Sequence, residues 1–196
     1  MKIFISGGCK NGKSRYAQHL ARLAARPTGS LYYIATMKAA DAEDDERIAR
    51  HRRERAGWGF TTIEQPCDIE KILDTCDRGA SFLLDSLTAL LANEMFQVDG
   101  TVNEQAAEKI TDGLLQVLDK LKNIVIVSDF IYSDALSYDP LTEKYRGSLA
   151  TIDRAVAENC DIVLEAAYTH LIVHKGKEIY DNIAPGELRF NYEAIP

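Results

Sequence analysis

The sequence lacks several features that mark other classes of protein. Its four cysteines form no CxxC pair and have no zinc-like spacing with the histidines, so we expect neither a disulfide framework nor a zinc site. No apolar run approaches the roughly 20 residues that a membrane span needs. Met1-Lys2 leads directly into a predicted strand, without a signal peptide. We therefore expect a cytoplasmic protein that keeps its thiols reduced and binds no membrane.

Positive charge is also scarce. The chain has 23 Lys and Arg against 30 Asp and Glu, which gives a net charge of −7. Nucleic acid is therefore a poor electrostatic match for the protein as a whole, and any phosphate site must be a local concentration of positive groups. The 196 residues show no internal repeat and no linker, so we expect a single domain over 1–196.

Strand-like and helix-like stretches alternate along the chain, which is typical of βαβ units in a three-layer α/β fold. Predicted strands are Lys2–Ser6, Leu31–Thr36, Phe60–Glu64, Ser81–Asp85, Asn123–Ser128, Asp161–Glu165 and His170–His174. Predicted helices lie near residues 12–25, 41–56, 68–77, 87–96, 103–121 and 143–158. Consecutive apolar residues in the strands favour a mostly parallel sheet covered on both faces.

Three segments depart from this alternation. The last two predicted strands are too close in sequence for a connecting helix, so we expect an antiparallel hairpin at one edge of the sheet. Ser133–Thr142 has no clear periodicity and is predicted to be a loop with some mobility. Ala184–Pro196 is predicted to be a surface tail.

The segment Gly7–Ser14, GGCKNGKS, matches the phosphate-loop pattern G-x-x-x-x-G-K-[ST] at every fixed position. It lies between the first predicted strand and the first predicted helix, which is the context the motif requires. Glycines allow backbone N–H groups to turn towards one phosphate, and the helix N-terminus adds partial positive charge. Lys13 is expected to reach the β- and γ-phosphates, and the Ser14 hydroxyl is expected to ligate Mg²⁺.

A carboxylate is expected to complete the Mg²⁺ site. Asp85 ends the apolar strand Ser81–Asp85, and Asp129 follows another apolar strand. We favour Asp85 as the metal ligand and keep Asp129 as the alternative. A strand-terminal aspartate can also be a simple helix cap.

The segment Asp41–Ala56 reads DAEDDERIARHRRERA, with acidic residues first and arginines last. This arrangement suits the helix dipole, so a solvated helix stabilised by its own charges is one interpretation. The other interpretation is chemical. His51 shares a helix face with Arg47 and Arg55, whose charges disfavour the imidazolium form. A neutral imidazole beside groups that hold phosphates can act as a nucleophile towards phosphorus.

Several segments together carry a family resemblance. They are Ile5–Arg15, Leu31–Thr36, Glu46–Arg52, Leu83–Asn93 and, more weakly, Tyr145–Val163. The most specific feature is Tyr-Ile-Ala-Thr at 33–36, followed by Arg-Ile-x-x-His ending at His51. Over about residues 1–165 the sequence resembles the bifunctional adenosylcobinamide kinase/adenosylcobinamide-phosphate guanylyltransferase family of cobalamin biosynthesis.

The resemblance implies two reactions on a P-loop NTPase-like, mostly parallel sheet. Adenosylcobinamide is phosphorylated by a nucleoside triphosphate, ATP or GTP. GMP is then transferred from GTP to the resulting phosphate through a covalent histidine, which aligns with His51. The resemblance also implies a trimer, a corrinoid substrate and Mg²⁺. The arginines of the charged helix become candidates to neutralise the triphosphate: Arg47, Arg50, Arg52 and Arg55.

Two segments differ from the family pattern. An Asn-Glu-Val-Gly run is replaced by Ser128–Ile131, and a downstream Phe-Arg-Asp…Gly…Asn-Gln pattern appears as Tyr145–Arg154, where only Arg146 keeps its identity. These differences leave open a kinase of another small hydroxyl compound, for which His51 would be dispensable. They also leave open a divergent GTP-binding paralogue without catalysis.

The predicted site residues fall into three groups. The catalytic residues are His51 and Lys13. The metal ligands are Ser14 and Asp85. The nucleotide-binding residues are Gly7, Gly8, Cys9, Lys10, Asn11, Gly12, Lys13, Ser14, Ala35, Thr36, Arg47, Arg52 and Asp85.

Overall fold

A seven-stranded sheet organises the chain. The computed structural model describes residues 1–25, 29–39, 46, 48–49, 52–53, 55–168 and 170–184. The strands are β1 (Lys2–Gly7), β2 (Leu31–Ala35), β3 (Phe60–Glu64), β4 (Ser81–Asp85), β5 (Asn123–Val127), β6 (Ile162–Ala167) and β7 (His170–Lys175). The helices are α1 (Lys13–Ala24), α2 (Ile72–Thr75, after a 3-10 turn at Ile69–Lys71), α3 (Leu87–Met95), α4 (Ala106–Lys120), α5 (Pro140–Asn159) and α6 (Lys177–Ile183).

The strand order is β3-β2-β4-β5-β1-β6-β7. Every neighbouring pair is parallel except β6 and β7, which form the antiparallel edge hairpin. The predicted α/β class and hairpin are confirmed, and each predicted strand ends within two residues of its observed end. Because the strands up to β6 run in the same direction, their carboxyl ends share one edge of the sheet.

Helices cover both faces of the sheet, as the consecutive apolar residues predict. On β1, Ile3 and Ile5 pack in a cluster with Leu20 of α1, whereas Phe4 packs in a second cluster with Leu149 of α5. The alternation follows from the two-residue period of a strand. The result is a three-layer structure in which the middle of β1 is buried from both sides.

Two helices differ from the sequence prediction. Helix α5 begins at Pro140, three residues earlier than predicted, because the Asp139 side chain accepts hydrogen bonds from the N–H groups of Leu141 and Thr142. Helix α6 was not predicted. It follows Gly176, whose φ is 75° and whose Cβ position lies only 2.2 Å from the Asp161 carbonyl oxygen, so only glycine fits there.

The predicted loop before α5 is held by one buried arginine. Arg146 donates from Nε to the Ile131 carbonyl, and its other nitrogens bind Asp134 at 2.9 Å and Glu143 at 2.8 Å. Its guanidinium also stacks over the Tyr138 ring at 4.4 Å. The prediction of a loop is correct up to Asp139, but this stretch is tied to α5 by multiple hydrogen bonds.

The predicted tail begins one residue too early, because Ala184 is buried against the core. Residues 185–196 lie outside the described part of the chain. The predicted helix 41–56 falls largely outside it as well, although Ile48, Ala49, Arg52 and Arg53 are helical.

A buried polar cluster lies where β1 and β5 end. Ser6 and Ser128 follow Ile5 and Val127, which are register partners on the two strands. Asp153 of α5 is only 2% exposed, and its Oδ2 accepts a hydrogen bond from the Tyr132 hydroxyl at 3.1 Å. Burial raises the pKa of Asp153 to about 7, against the lowering effect of the Ser128 and Tyr132 hydroxyls.

This carboxyl makes the stability of the fold depend on pH. In the unfolded chain an aspartate ionises near pH ~3.9, whereas Asp153 in the folded chain has a pKa of about 7. The folded state keeps a proton that the unfolded state releases, so the stabilisation present below pH ~4 is lost as the pH rises towards 7. We expect Asp153→Asn to remove roughly 3 kcal/mol of the decline in unfolding free energy between pH 5 and pH 8.

Urea unfolding at both pH values measures this difference. The matched control is Asp112→Asn, an amide substitution at an exposed position of α4. Parallel pH profiles for wild type and Asp153→Asn would contradict the assignment of a raised pKa.

Candidate functional site

The phosphate-loop motif forms the turn between β1 and α1. Two residues in the left-handed region shape it, Lys10 with a φ of 57° and Gly12 with a φ of 87°. Gly12 is the N-cap of α1, and its carbonyl accepts the first hydrogen bonds of the helix from the N–H groups of Arg15 and Tyr16. The loop therefore leads directly into a helix N-terminus, as the sequence predicts.

The loop rests on the end of β6. A Cβ at Gly7 would lie 2.4 Å from the Ala166 carbonyl oxygen, so this close approach requires glycine. The Asn11 side-chain amide donates to the same oxygen. Asn11 was predicted to bind nucleotide, but this contact gives its side chain a part in holding the loop to the neighbouring strand.

Lys13 is held across the mouth of the loop. Its side chain is 6% exposed, and Nζ lies 2.6 Å from the Gly8 carbonyl oxygen and 2.8 Å from Asp129 Oδ1. Asp129 is itself fixed, because its N–H donates to the Thr88 hydroxyl at 3.0 Å. The next residue, Phe130, donates its N–H to the Gly7 carbonyl. The end of β5 is thus fastened to both sides of the phosphate loop.

The tip of the loop is open. Gly8, Cys9 and Lys10 are exposed, whereas Lys13 lies buried behind them. A buried ammonium group behind an accessible loop is the arrangement that binding of an anionic phosphate requires.

Asp85 lies at the same edge of the sheet but has different partners. Its Oδ2 accepts a hydrogen bond from the Tyr33 hydroxyl at 3.0 Å. In the register of β4 and β5 it pairs with Val127, two residues before Asp129. Both carboxylates named from the sequence therefore lie at the carboxyl edge, and of the two it is Asp129 that contacts Lys13.

The donor atoms at this edge are suited to Mg²⁺. The ion prefers oxygen ligands and is usually held by one or two carboxylates together with substrate phosphates. Ser14, in the first turn of α1, supplies a hydroxyl, and Asp85 and Asp129 supply carboxylates. Their chemistry and their position beside a phosphate loop fit such an ion, and the choice between the two carboxylates stays a prediction.

The predicted nucleophile lies outside the described residues, as do Arg47 and Arg50. Two arginines of the same segment are described. Arg52 is exposed and pairs with Glu64 at 2.8 Å. Arg55 is only 7% exposed and stacks over the Tyr33 ring at 3.8 Å. Arg55 was a candidate to neutralise the triphosphate, but its burial and its stacking give it a structural role.

Two further residues were predicted to bind nucleotide, Ala35 and Thr36. Ala35 ends β2 and pairs in register with Asp85. Thr36 is fully buried, and its hydroxyl donates to the Ser86 carbonyl and accepts from the Ser86 N–H, both at 2.8 Å. The Thr36 side chain thus holds the turn that follows Asp85, while its predicted contact with nucleotide stays untested.

Sequence reasoning missed two contributors to the site. It assigned no role to Tyr33, although Tyr33 precedes Ala35 by two residues and so lies on the same face of β2. It also missed Asp153, whose place beneath the loop depends on the packing of α5. The Tyr33 contact follows from strand phase once β2 and β4 are known to be neighbours.

Among the residues that the structure describes, no helix has the length and apolar character needed to cross a membrane. Within the same ranges, no group of three or more His, Cys, Asp and Glu side chains is arranged to hold a metal ion. A divalent ion at this site would therefore depend on phosphate oxygens for part of its coordination.

Solved structures support the fold. The chain aligns with the solved structure of an isolated ATPase domain at a TM-score of 0.51 and 10% identity, covering 90% of this chain and 77% of that one. The similarity at this identity concerns the fold, which is the P-loop NTPase-like arrangement of strands predicted from the sequence.

Relatives in sequence extend over most of the chain. The bifunctional adenosylcobalamin biosynthesis protein CobP of Pseudomonas aeruginosa is 33% identical over 166 residues, covering 83% of this chain and 91% of the relative. The bifunctional adenosylcobalamin biosynthesis protein CobU of Salmonella typhimurium is 25% identical over 174 residues, covering 83% and 93%. The family described as cobinamide kinase / cobinamide phosphate guanyltransferase matches residues 3–169. The chain therefore belongs to the cobinamide kinase / cobinamide phosphate guanyltransferase family.

Proposed function

We propose that this protein carries out two transfers in cobalamin biosynthesis within a single domain. It phosphorylates the hydroxyl of adenosylcobinamide with a nucleoside triphosphate, and it transfers GMP from GTP to adenosylcobinamide phosphate through a guanylyl-histidine. The second transfer uses His51. Assembly as a trimer is carried over from the family resemblance and stays a prediction.

The observation that carries the proposal is the position of Lys13. Its ammonium group is buried 2.8 Å from Asp129 behind an exposed phosphate loop, in a chain matched over residues 3–169 by the family. When a triphosphate binds, Lys13 exchanges its contacts with Gly8 and Asp129 for phosphate oxygens. The cation is already in place, so its electrostatic stabilisation of the transferring group requires little reorganisation.

In the phosphorylation step, the acceptor hydroxyl oxygen forms a bond to the γ-phosphorus, and the bond from that phosphorus to the β,γ-bridging oxygen breaks. A nucleoside diphosphate leaves, and the hydroxyl loses its proton. Asp129 is our candidate to accept this proton, because it lies next to Lys13 and is released from it when phosphate binds. Ser14 and Asp85 are the residues that would hold Mg²⁺, which neutralises phosphate charge when bound.

In the guanylyl transfer, an imidazole nitrogen of His51 attacks the α-phosphorus of GTP, and pyrophosphate leaves. A phosphate oxygen of the corrinoid then attacks the same phosphorus, and the phosphorus–nitrogen bond breaks. A covalent intermediate divides one difficult displacement into two easier ones. Arg47 and Arg52 are candidates to hold the triphosphate. The Arg52–Glu64 pair is solvent-exposed and therefore inexpensive to exchange for phosphate contacts.

Removal of the buried ammonium group should impair both transfers. We expect Lys13→Ala to lower kcat/KM roughly 100- to 1000-fold, as the loss of a preorganised charge contact does. Formation of nucleoside diphosphate and of pyrophosphate is measured with cobinamide and cobinamide phosphate respectively. Lys120→Ala is the control, because Lys120 is exposed and pairs with its neighbour Asp119. Activity of Lys13→Ala equal to that of the control would contradict the assigned role.

Replacement of the nucleophile should separate the two activities. With GTP labelled at the α-phosphate, we expect an acid-labile protein-bound label in wild type and none in His51→Ala, while cobinamide phosphorylation with ATP persists. His170→Ala serves as the control, since His170 is an exposed residue of the edge strand β7. Peptide mass mapping locates the label.

Two outcomes would favour other functions. Phosphorylation without any labelled wild-type protein would indicate a simple kinase, for which His51 is dispensable. Tight GTP binding with neither phosphorylation nor pyrophosphate release would indicate a non-catalytic nucleotide-binding protein.

A further inference from the structure

Tyr33 makes a buried polar contact with the predicted metal ligand. Its side chain is 5% exposed, and its hydroxyl donates to Asp85 Oδ2 at 3.0 Å. Strands β2 and β4 are parallel neighbours in which Ala35 pairs with Asp85. Tyr33 lies two residues before Ala35, on the same face of β2, so its ring extends along the strand towards the carboxyl edge.

Arg55 covers the other side of this tyrosine. Its guanidinium carbon lies 3.8 Å from the centre of the Tyr33 ring, and Nη2 donates to the Thr62 hydroxyl at 3.2 Å. Burial lowers the pKa of Arg55, whereas the nearby Tyr33 and Asp85 act to raise it and Arg52 acts to lower it. A planar guanidinium can stack on an aromatic ring while donating hydrogen bonds at its edge, which lysine does not do.

The residues that follow Arg55 are fastened as well. The ring of Trp58 packs edge-on against His19 of α1 at 4.5 Å, and Arg22 of α1 lies over the Trp58 ring at 5.6 Å. The turn 55–58 is therefore attached both to β2 and to the helix that follows the phosphate loop. Since Arg55 lies four residues after His51 in sequence, this turn ties the end of the histidine segment to the nucleotide site.

We propose that Tyr33, held by Arg55, positions the Asp85 carboxylate for binding of the metal–nucleotide complex. The proposal rests on the proposed function, in which Asp85 is a metal ligand. A hydrogen bond to one carboxylate oxygen fixes the rotation of the carboxylate and limits its alternative orientations. Residues that orient a metal ligand in this way commonly change metal affinity about 10- to 100-fold when they are replaced.

The contacts of Arg55 separate this role from that of a phosphate ligand. A triphosphate ligand must be reachable from the loop, whereas Arg55 is 7% exposed and already engaged by Tyr33 and Thr62. If Arg55 acts through Tyr33, replacing both residues should cost little more than replacing Tyr33 alone. If Arg55 binds phosphate directly, the two effects should add.

The test is a titration of Mn²⁺ into the protein–GTP complex, followed by electron paramagnetic resonance. We expect Tyr33→Phe to weaken Mn²⁺ binding about tenfold, while GTP binding in EDTA and the melting temperature of the nucleotide-free protein stay unchanged. The matched control is Tyr32→Phe, because Tyr32 is adjacent in sequence but stacks on Phe82 at 5.2 Å, in the cluster on the opposite face of the sheet. Equal Mn²⁺ affinity in wild type and Tyr33→Phe would overturn the proposal.

A second pair of variants tests the contribution of Arg55. Arg55→Lys keeps the charge but removes the planar stack, so it should also weaken Mn²⁺ binding, and the double variant with Tyr33→Phe should match Tyr33→Phe alone. Arg53→Lys is the control, since Arg53 is exposed. Additive losses in the double variant would assign Arg55 to the phosphates and overturn its link to Tyr33.

The titration does not depend on turnover. If wild type binds Mn²⁺ and GTP but transfers neither phosphate nor GMP, the proposed function fails and the Mn²⁺ affinities still decide the role of Tyr33. If wild type transfers GMP and Tyr33→Phe binds Mn²⁺ as tightly as wild type does, the positioning role fails alone.

Discussion

The ion pair between Lys13 and Asp129 joins the parts of this protein on which its chemistry depends. Lys13 belongs to the loop after β1, and Asp129 follows β5, the neighbouring strand. A buried ammonium group is costly unless it is paired and hydrogen-bonded, and here a carboxylate and the Gly8 carbonyl satisfy it. An incoming triphosphate provides a stronger set of negative charges in the same place, so the pair holds the site ready for its ligand.

The surrounding structure keeps this pair in position through contacts from several elements. Asn11 and Gly7 hold the loop against β6, and Thr88 holds the backbone of Asp129. Arg146 fixes the segment that follows Asp129 by bonding to the Ile131 carbonyl. Arg146 is the position that keeps its identity in the otherwise divergent downstream pattern, and its contacts give a physical reason why that residue type is needed there.

The site divides into two halves that meet at the carboxyl edge of the sheet. One half contains the phosphate loop, Lys13 and Asp129. The other contains Asp85 together with Tyr33 and Arg55, and it continues in sequence to the segment that carries His51. The two proposed transfers need groups at the γ-phosphorus and at the α-phosphorus, and in our proposal each half serves one of them.

Local sequence determined much of the architecture. Strands such as Phe60–Glu64 and Ser81–Asp85 were predicted with their observed ends, because apolar β-type residues between turn residues specify a strand without reference to distant parts of the chain. The phosphate loop was equally readable, since its glycines, lysine and serine act at fixed spacing. Helix α6 was missed because it is short and begins at Gly176, where a conformation open only to glycine is imposed by a close approach to Asp161.

What the sequence by itself determined is therefore the succession of strands and helices, the phosphate loop and the set of residues with suitable chemistry. Only the tertiary structure decided which of these residues meet. Asp85 and Asp129 are equivalent in sequence, each at the end of an apolar strand, but the order β4-β5-β1 puts β5 directly beside β1. Because neighbouring strands are about 4.8 Å apart, Asp129 reaches Lys13 and Asp85 is left to Tyr33. Strand order and helix packing are set by the whole core, and no short stretch of sequence contains them.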